Sequence, residues 1–108
     1  MQDRRRGTER REVQRVEIDL DVEWETSAGR RSGSLSDISE KGCFVLSSGD
    51  VTDGEPVRLY LPLADGMKVE FSGIVANHVV EIGFAVRFDA LNSAQIELMR
   101  SLMGKVGG

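Results

Sequence analysis

Cysteine and histidine are nearly missing from this sequence: Cys43 and His78 are the only examples among 108 residues. A lone thiol forms no intramolecular disulfide, and one cysteine with one histidine cannot build a multi-cysteine zinc site, so no metal is expected and a reducing cytoplasm is the expected compartment. Long apolar runs are absent too. Nothing approaches the ~20 residues of a membrane-spanning helix, and the arginine-rich start lacks the apolar stretch of a signal peptide, so membrane insertion is not expected. Aromatics make up only 6% of the chain and the net charge is -4, which argues against a basic, ring-lined groove for a nucleic acid polymer. No glycine-rich phosphate loop leads into a helix, and His78 has no obvious nucleophile beside it. An enzyme is therefore not expected, nor a cofactor.

What is present fits one small domain. Hydrophobic residues make up 40% of the chain, and 108 residues leave no room in it for a second, catalytic unit. Charge is segregated along it. Arg4, Arg5, Arg6, Arg10, Arg11 and Arg15 crowd the beginning, and Glu17, Asp19, Asp21, Glu23 and Glu25 follow at once. The acids alternate with Val16, Ile18, Leu20, Val22 and Trp24, the pattern of a half-buried strand. Ser27-Ala28-Gly29 then predicts a turn, with a weaker return strand from Arg31 into Asp37. Further strands are expected at Cys43 to Leu46, at Val57 to Leu61 after the Asp53-Gly54-Glu55-Pro56 turn, and from Met67 onward after Ala64-Asp65-Gly66. Gly73 marks a bulge or sharp bend in that long strand. In the last strand Ile82, Phe84, Val86 and Phe88 should share the inner face.

After Asp89 the period changes. Leu91, Gln95, Leu98, Met99, Leu102 and Met103 fit one side of a helix, with Asn92 as its cap and Gln95 three places on. Gly104 and Gly107-Gly108 should supply its stop and a loose tail. Several short strands separated by regular turns favour a small antiparallel barrel with this helix against it. Cys43 and Trp24 read as packing residues in that barrel.

Two polar segments carry candidate chemistry. In Arg10-Arg11-Glu12-Val13-Gln14-Arg15 the guanidinium forks could converge on phosphate oxygens, address guanine O6 and N7, or stack on a purine. Charge alone equally fits a solvated basic arm neutralised by the acidic face of the next strand. In Asp37-Ile38-Ser39-Glu40-Lys41-Gly42 the carboxylate could accept guanine protons, the hydroxyl could bond a phosphate or ribose, and the glycine would allow a positive φ or a close backbone approach. Alone, that segment fits an Asx-type turn just as well.

Together the two segments resemble the PilZ family signature, an R-x-x-x-R motif before the first strand and a D/N-x-S-x-x-G motif after the second. Arg11 to Arg15 and Asp37 to Gly42 match both, one hairpin apart, and Gly83-Phe84-Ala85-Val86-Arg87-Phe88 is similar to the family's last barrel strand. The resemblance covers about Arg10 to Met103. It implies an all-β fold, a six-stranded antiparallel barrel with a C-terminal helix, and a receptor for cyclic di-GMP. By the same resemblance Arg11 and Arg15 hold the ligand's phosphates and guanines, Asp37 and Ser39 face guanine, and Gly42 keeps the turn open. Arg10 just before the motif implies an intercalated ligand dimer. Arg6-Gly7-Thr8-Glu9-Arg10 spells a second R-x-x-x-R, but Arg15 adjoins the strand and the later copy is preferred. Asn77 and His78, near the end of the fifth strand, are further candidates for a base edge or ribose, with a plain turn role as their simpler reading.

The expected organisation is a flexible basic arm over 1–9, the PilZ domain over 10–103 and a tail over 104–108. Ligand binding would order the arm over the barrel and signal to an unidentified downstream protein. The alternative is a ligand-free PilZ-like protein-interaction module.

Overall fold

A computed structural model describes residues 15–63 and 66–107, without the side chains of 105–107. Alternation in the first strand is the starting point of the fold. In β1 (Val16–Thr26) the apolar residues turn inward, half-buried at Val16, Ile18 and Leu20 and fully buried at Val22 and Trp24. The chain reverses through Ser27-Ala28 into β2 (Gly29–Ile38), where the Ala28 N–H donates to the Thr26 hydroxyl at 3.2 Å. β3 (Gly42–Leu46), β4 (Pro56–Pro62), β5 (Lys68–Val79) and β6 (Gly83–Phe88) follow, then helix α1 (Ser93–Gly107).

All neighbouring strands pair antiparallel in the order β1-β2-β3-β6-β5-β4, and β4 pairs back on β1 to close the barrel. The expected architecture is therefore present. Its interior holds Trp24, Phe71, Phe84, Leu35, Ile38, Leu59 and Leu61, each essentially inaccessible to solvent. Trp24 meets Phe84 edge to face at 4.8 Å between centroids, a favoured geometry for two quadrupoles. The Trp24 indole nitrogen is buried without a hydrogen-bond partner, a state that costs about 1 to 3 kcal/mol.

Helix α1 begins as its sequence predicts. The Asn92 N–H donates to Gln95 Oε1 at 2.7 Å, and the Gln95 N–H donates to Asn92 Oδ1 at 2.9 Å, a reciprocal capping box. Gln95 also donates its amide to the Glu70 carbonyl at 2.7 Å, tying the helix to β5. Met99 and Leu102 are buried, and Leu91, Leu98 and Met103 lie against the core. The helix runs past Gly104, where it was expected to stop, to Gly107. One glycine costs a helix about 1 kcal/mol and need not end it.

Two further expectations differ from what is observed. Ile82 does not share the inner face; it is 55% exposed, because the chain turns at Val80-Glu81 and β6 starts only at Gly83. Glu81 adopts φ +67° there, and the Ile82 N–H donates to the Val79 carbonyl at 3.0 Å. Gly73 marks no bulge. The pairing of β5 with β6 is regular at Gly73 and slips between Val75 and Asn77. Gly73 instead provides room, since a Cβ there would lie 2.5 Å from the Arg87 carbonyl oxygen.

Candidate functional site

Two bulges decide which side chains reach the outside of the barrel. In β2, Leu35 faces Val45 of β3 but Asp37 faces Phe44, so one extra residue, Ser36, is accommodated between them. Unbroken alternation would turn Asp37 inward beside Leu35. With the bulge, Leu35 and Ile38 are both buried and Asp37 is carried to the outer face. The slip in β5 does the same for Asn77: Val75 is buried opposite Val86, Ala76 is the extra residue, and Asn77 stands exposed opposite Ala85.

The register then lines up four residues across four strands. Asp37 pairs with Phe44, Phe44 with Ala85, and Ala85 with Asn77. Three strand spacings separate the ends, about 14 Å. Arg15, immediately before β1, closes the Asp37 end of this row, its Nη1 donating to Asp37 Oδ1 at 2.9 Å. The Arg15 side chain is 54% exposed and the Asp37 side chain 27%, so the pair is an open one of about 0 to 1 kcal/mol. Glu17 lies directly opposite Asp37 across the β1–β2 pair, and Arg15 offsets the repulsion between these two acids.

Ser39 lies in the turn between β2 and β3. It is buried, and its hydroxyl is engaged within the turn: it donates to the Gly42 carbonyl at 3.3 Å and accepts from the N–H groups of Lys41 at 3.1 Å and Gly42 at 3.3 Å. The Ser39 N–H also donates to the Gly42 carbonyl, at 2.8 Å. Ser39 thus holds the turn that follows Asp37. Gly42 has no positive φ; a Cβ there would collide with the Val86 carbonyl, so glycine is needed for the close approach of β3 and β6.

Next to Gly42, Cys43 is buried, and burial, reinforced by the Asp37 charge, pushes its thiol pKa far up. That suppresses the nucleophilic thiolate and makes Cys43 a core residue. Arg15, Asp37 and Asn77 are therefore gathered on one outer face. His78, opposite Phe84, is half-buried and one residue beyond Asn77, within the strand and not in a turn. Arg6, Arg10 and Arg11 lie outside the described residues.

The sequence pattern shows Phe44 only as part of the apolar strand at Cys43 to Leu46. The structure puts it in the middle of the row. Its one sequence signal is the alternation of Cys43 and Val45 inward, which leaves Phe44 facing out.

The acidic face of β1 is partly neutralised by the barrel itself. Lys68 lies 3.0 Å from Glu23, and Tyr60 donates to Glu25 at 2.7 Å while Arg30 covers the Tyr60 ring at 4.1 Å. The Lys68 hydrogen bond and charge lower the Glu23 pKa, and the Tyr60 hydrogen bond with nearby Arg30 and Arg58 lowers that of Glu25. Among the described residues no group of His, Cys, Asp and Glu is placed to hold a metal ion, and no helix is long and apolar enough to cross a membrane.

The sequence matches the family model of the PilZ domain over residues 9–105. The chain belongs to the PilZ domain family. Solved structures agree on the fold. This PilZ domain is similar to that of CeSA from a cellulose-synthesizing bacterium, with a TM-score of 0.67 and 21% identity over 85% of this chain and 97% of that one. It is similar to the PilZ domain of YcgR from Escherichia coli, solved with c-di-GMP, with a TM-score of 0.70 and 11% identity over 97% and 92% of the two chains. PlzA of Borreliella burgdorferi, solved in complex with c-di-GMP, gives a TM-score of 0.67 and 14% identity over 83% of this chain and 39% of that one. A search of curated proteins finds no match.

Proposed function

We propose that this PilZ domain is a receptor for cyclic di-GMP, held on the outer face that runs from Arg15 and Asp37 across Phe44 toward Asn77. The observation that carries the reading is the Arg15–Asp37 pair at 2.9 Å, where the chemistries of both motifs, guanidinium and carboxylate, meet on an open surface. Two structural neighbours, YcgR and PlzA, are solved with c-di-GMP, which supports the same ligand here.

The chemistry is an exchange of partners. Asp37 can accept the N1 and N2 protons of guanine, and Arg15, released from it, can grip a phosphate or the guanine O6 and N7 edge with its fork of donors. An exposed ion pair of at most ~1 kcal/mol is a small obstacle to that exchange. Ser39 and Gly42 act by fixing the turn, and a ligand would reach the Ser39 hydroxyl only if it gave up its turn bonds. Arg10 and Arg11, which precede Arg15 in the sequence, would add further guanidinium forks, with Arg6 assisting through its charge. Arg10 supports uptake of an intercalated ligand dimer. Ordering of the arm over the barrel then alters the surface read by a downstream protein in the cytoplasm. The domain acts by binding, with no reaction of its own.

Isothermal titration of the domain with cyclic di-GMP, beside Arg15→Ala and Asp37→Ala, tests this. Wild type should bind, and each variant should lose tenfold or more while staying folded, since the Arg15–Asp37 pair contributes at most about 1 kcal/mol to stability. Two ligands per protomer, falling to one in Arg10→Ala, would support the dimer. A second reading has one observation in its favour: Leu46, Val79, Val80 and Ile82 form an exposed apolar tip where β3 and β5 end and β6 begins. A folded wild-type domain that takes up no cyclic di-GMP would favour a ligand-free interaction module working through that tip.

A further inference from the structure

An aromatic ring on the outer wall of a barrel needs a reason, because the outer face gains nothing from burial in the core. Phe44 is half-buried, lies on the outer face between the inward-turned Cys43 and Val45, and stands directly opposite Asp37. Directly opposed residues on one face of an antiparallel pair have Cβ atoms about 4.5 to 5.5 Å apart, so the two side chains leave the sheet as neighbours, the carboxylate turned toward Arg15. On the other side the ring reaches over β6. Its Cε2 lies 3.0 Å from where a Cβ of Gly83 would be, and its cross-strand partner is the small Ala85. The neighbouring floor is therefore low. Two ring pairs meet elsewhere, Trp24 with Phe84 and Phe71 with Phe88, but no other ring covers Phe44 among the described residues.

We propose that Phe44 is the platform on which one guanine base of the ligand stacks while its Watson–Crick edge meets Asp37. This inference rests on the receptor reading above and adds a residue to it. The two side chains divide the task. A ring face accepts any base, since every base presents a π-face, whereas a carboxylate on the neighbouring strand accepts the paired N1 and N2 protons that guanine offers. Affinity then comes largely from Phe44 and selection of guanine from Asp37. The two small residues beyond the ring, Gly83 and Ala85, keep the platform clear toward Asn77.

Three variants and one direct observation test the proposal. Phe44→Leu keeps an apolar side chain of similar bulk over Gly83 but removes the ring, and should weaken cyclic di-GMP binding about tenfold or more with an unchanged unfolding midpoint. Phe44→Trp should bind at least as well as wild type, and the emission it adds to that of the buried Trp24 should be quenched at saturating ligand. In the wild-type domain, ring protons of Phe44 should shift upfield and show nuclear Overhauser contacts to a guanine of bound ligand, which needs no variant to fold. The proposal is overturned if wild type binds and Asp37→Ala does not, yet Phe44→Leu binds like wild type or the Phe44 ring protons are untouched by saturating ligand. Absence of binding by wild type would instead remove the receptor reading and this inference with it.

Discussion

At the scale of single residues, the same charge type is put to different uses along β1. Glu23 and Glu25 are held by Lys68, Arg30, Arg58 and the Tyr60 hydroxyl, whereas Glu17 faces another acid, Asp37. Their pH behaviour follows from this. The pKa of Glu23 and of Glu25 is lowered in the folded state, from an ordinary value of 4.5, so their contribution to stability is complete above that value and disappears as pH falls through the lowered one. Replacing both by glutamine should narrow the difference between the urea midpoints measured at neutral pH and below the carboxylate range. An unchanged difference would show that the pairs are idle. Ser39 and Gly42 show why the site residues were only partly legible in the sequence. The motif singles them out, and the structure adds a hydroxyl engaged inside a turn and a missing Cβ against Val86, features that depend on where the chain goes next.

At the scale of elements, the helix and the strand pattern were legible because each is set locally. Asn92 and Gln95 make a capping box from their spacing alone, and the alternation of β1 appears directly in its burial. Asn92→Ala should cost about 1 kcal/mol, a drop in melting temperature of about 4 to 8 °C for a domain of this size, readable by thermal denaturation. A much smaller drop would mean that the contacts of Met99 and Leu102 hold the helix without its cap. The bulges at Ser36 and Ala76 were not foreseen. A bulge is fixed by the register of the neighbouring strands, and period-two reading carries the wrong face forward past it. The three-residue spacing of Leu35 and Ile38 is the trace it leaves in β2. The same over-extension put Ile82 in the core, one residue before β6 begins.

At the scale of the whole molecule, the order in which the strands pair is what makes a site out of these details. Residues as far apart as Arg15, Asp37, Phe44 and Asn77 share one face only because β3 pairs with β6 and β6 with β5, a path that sequence order does not follow. The opposite wall, with Arg30, Tyr60 and Lys68 on Glu23 and Glu25, is already paired and offers an incoming anion little. Ligand contact should therefore be confined to one side of the barrel. The measurement that tests this most directly is a map of backbone amide shifts by NMR as cyclic di-GMP is added. Shifts concentrated at Arg15, at 36–44, and at Ala76, Asn77, Gly83 and Ala85, with the wall around Glu23, Arg30 and Tyr60 unmoved, are predicted. Shifts centred on that wall, or none at saturating ligand, would contradict the account.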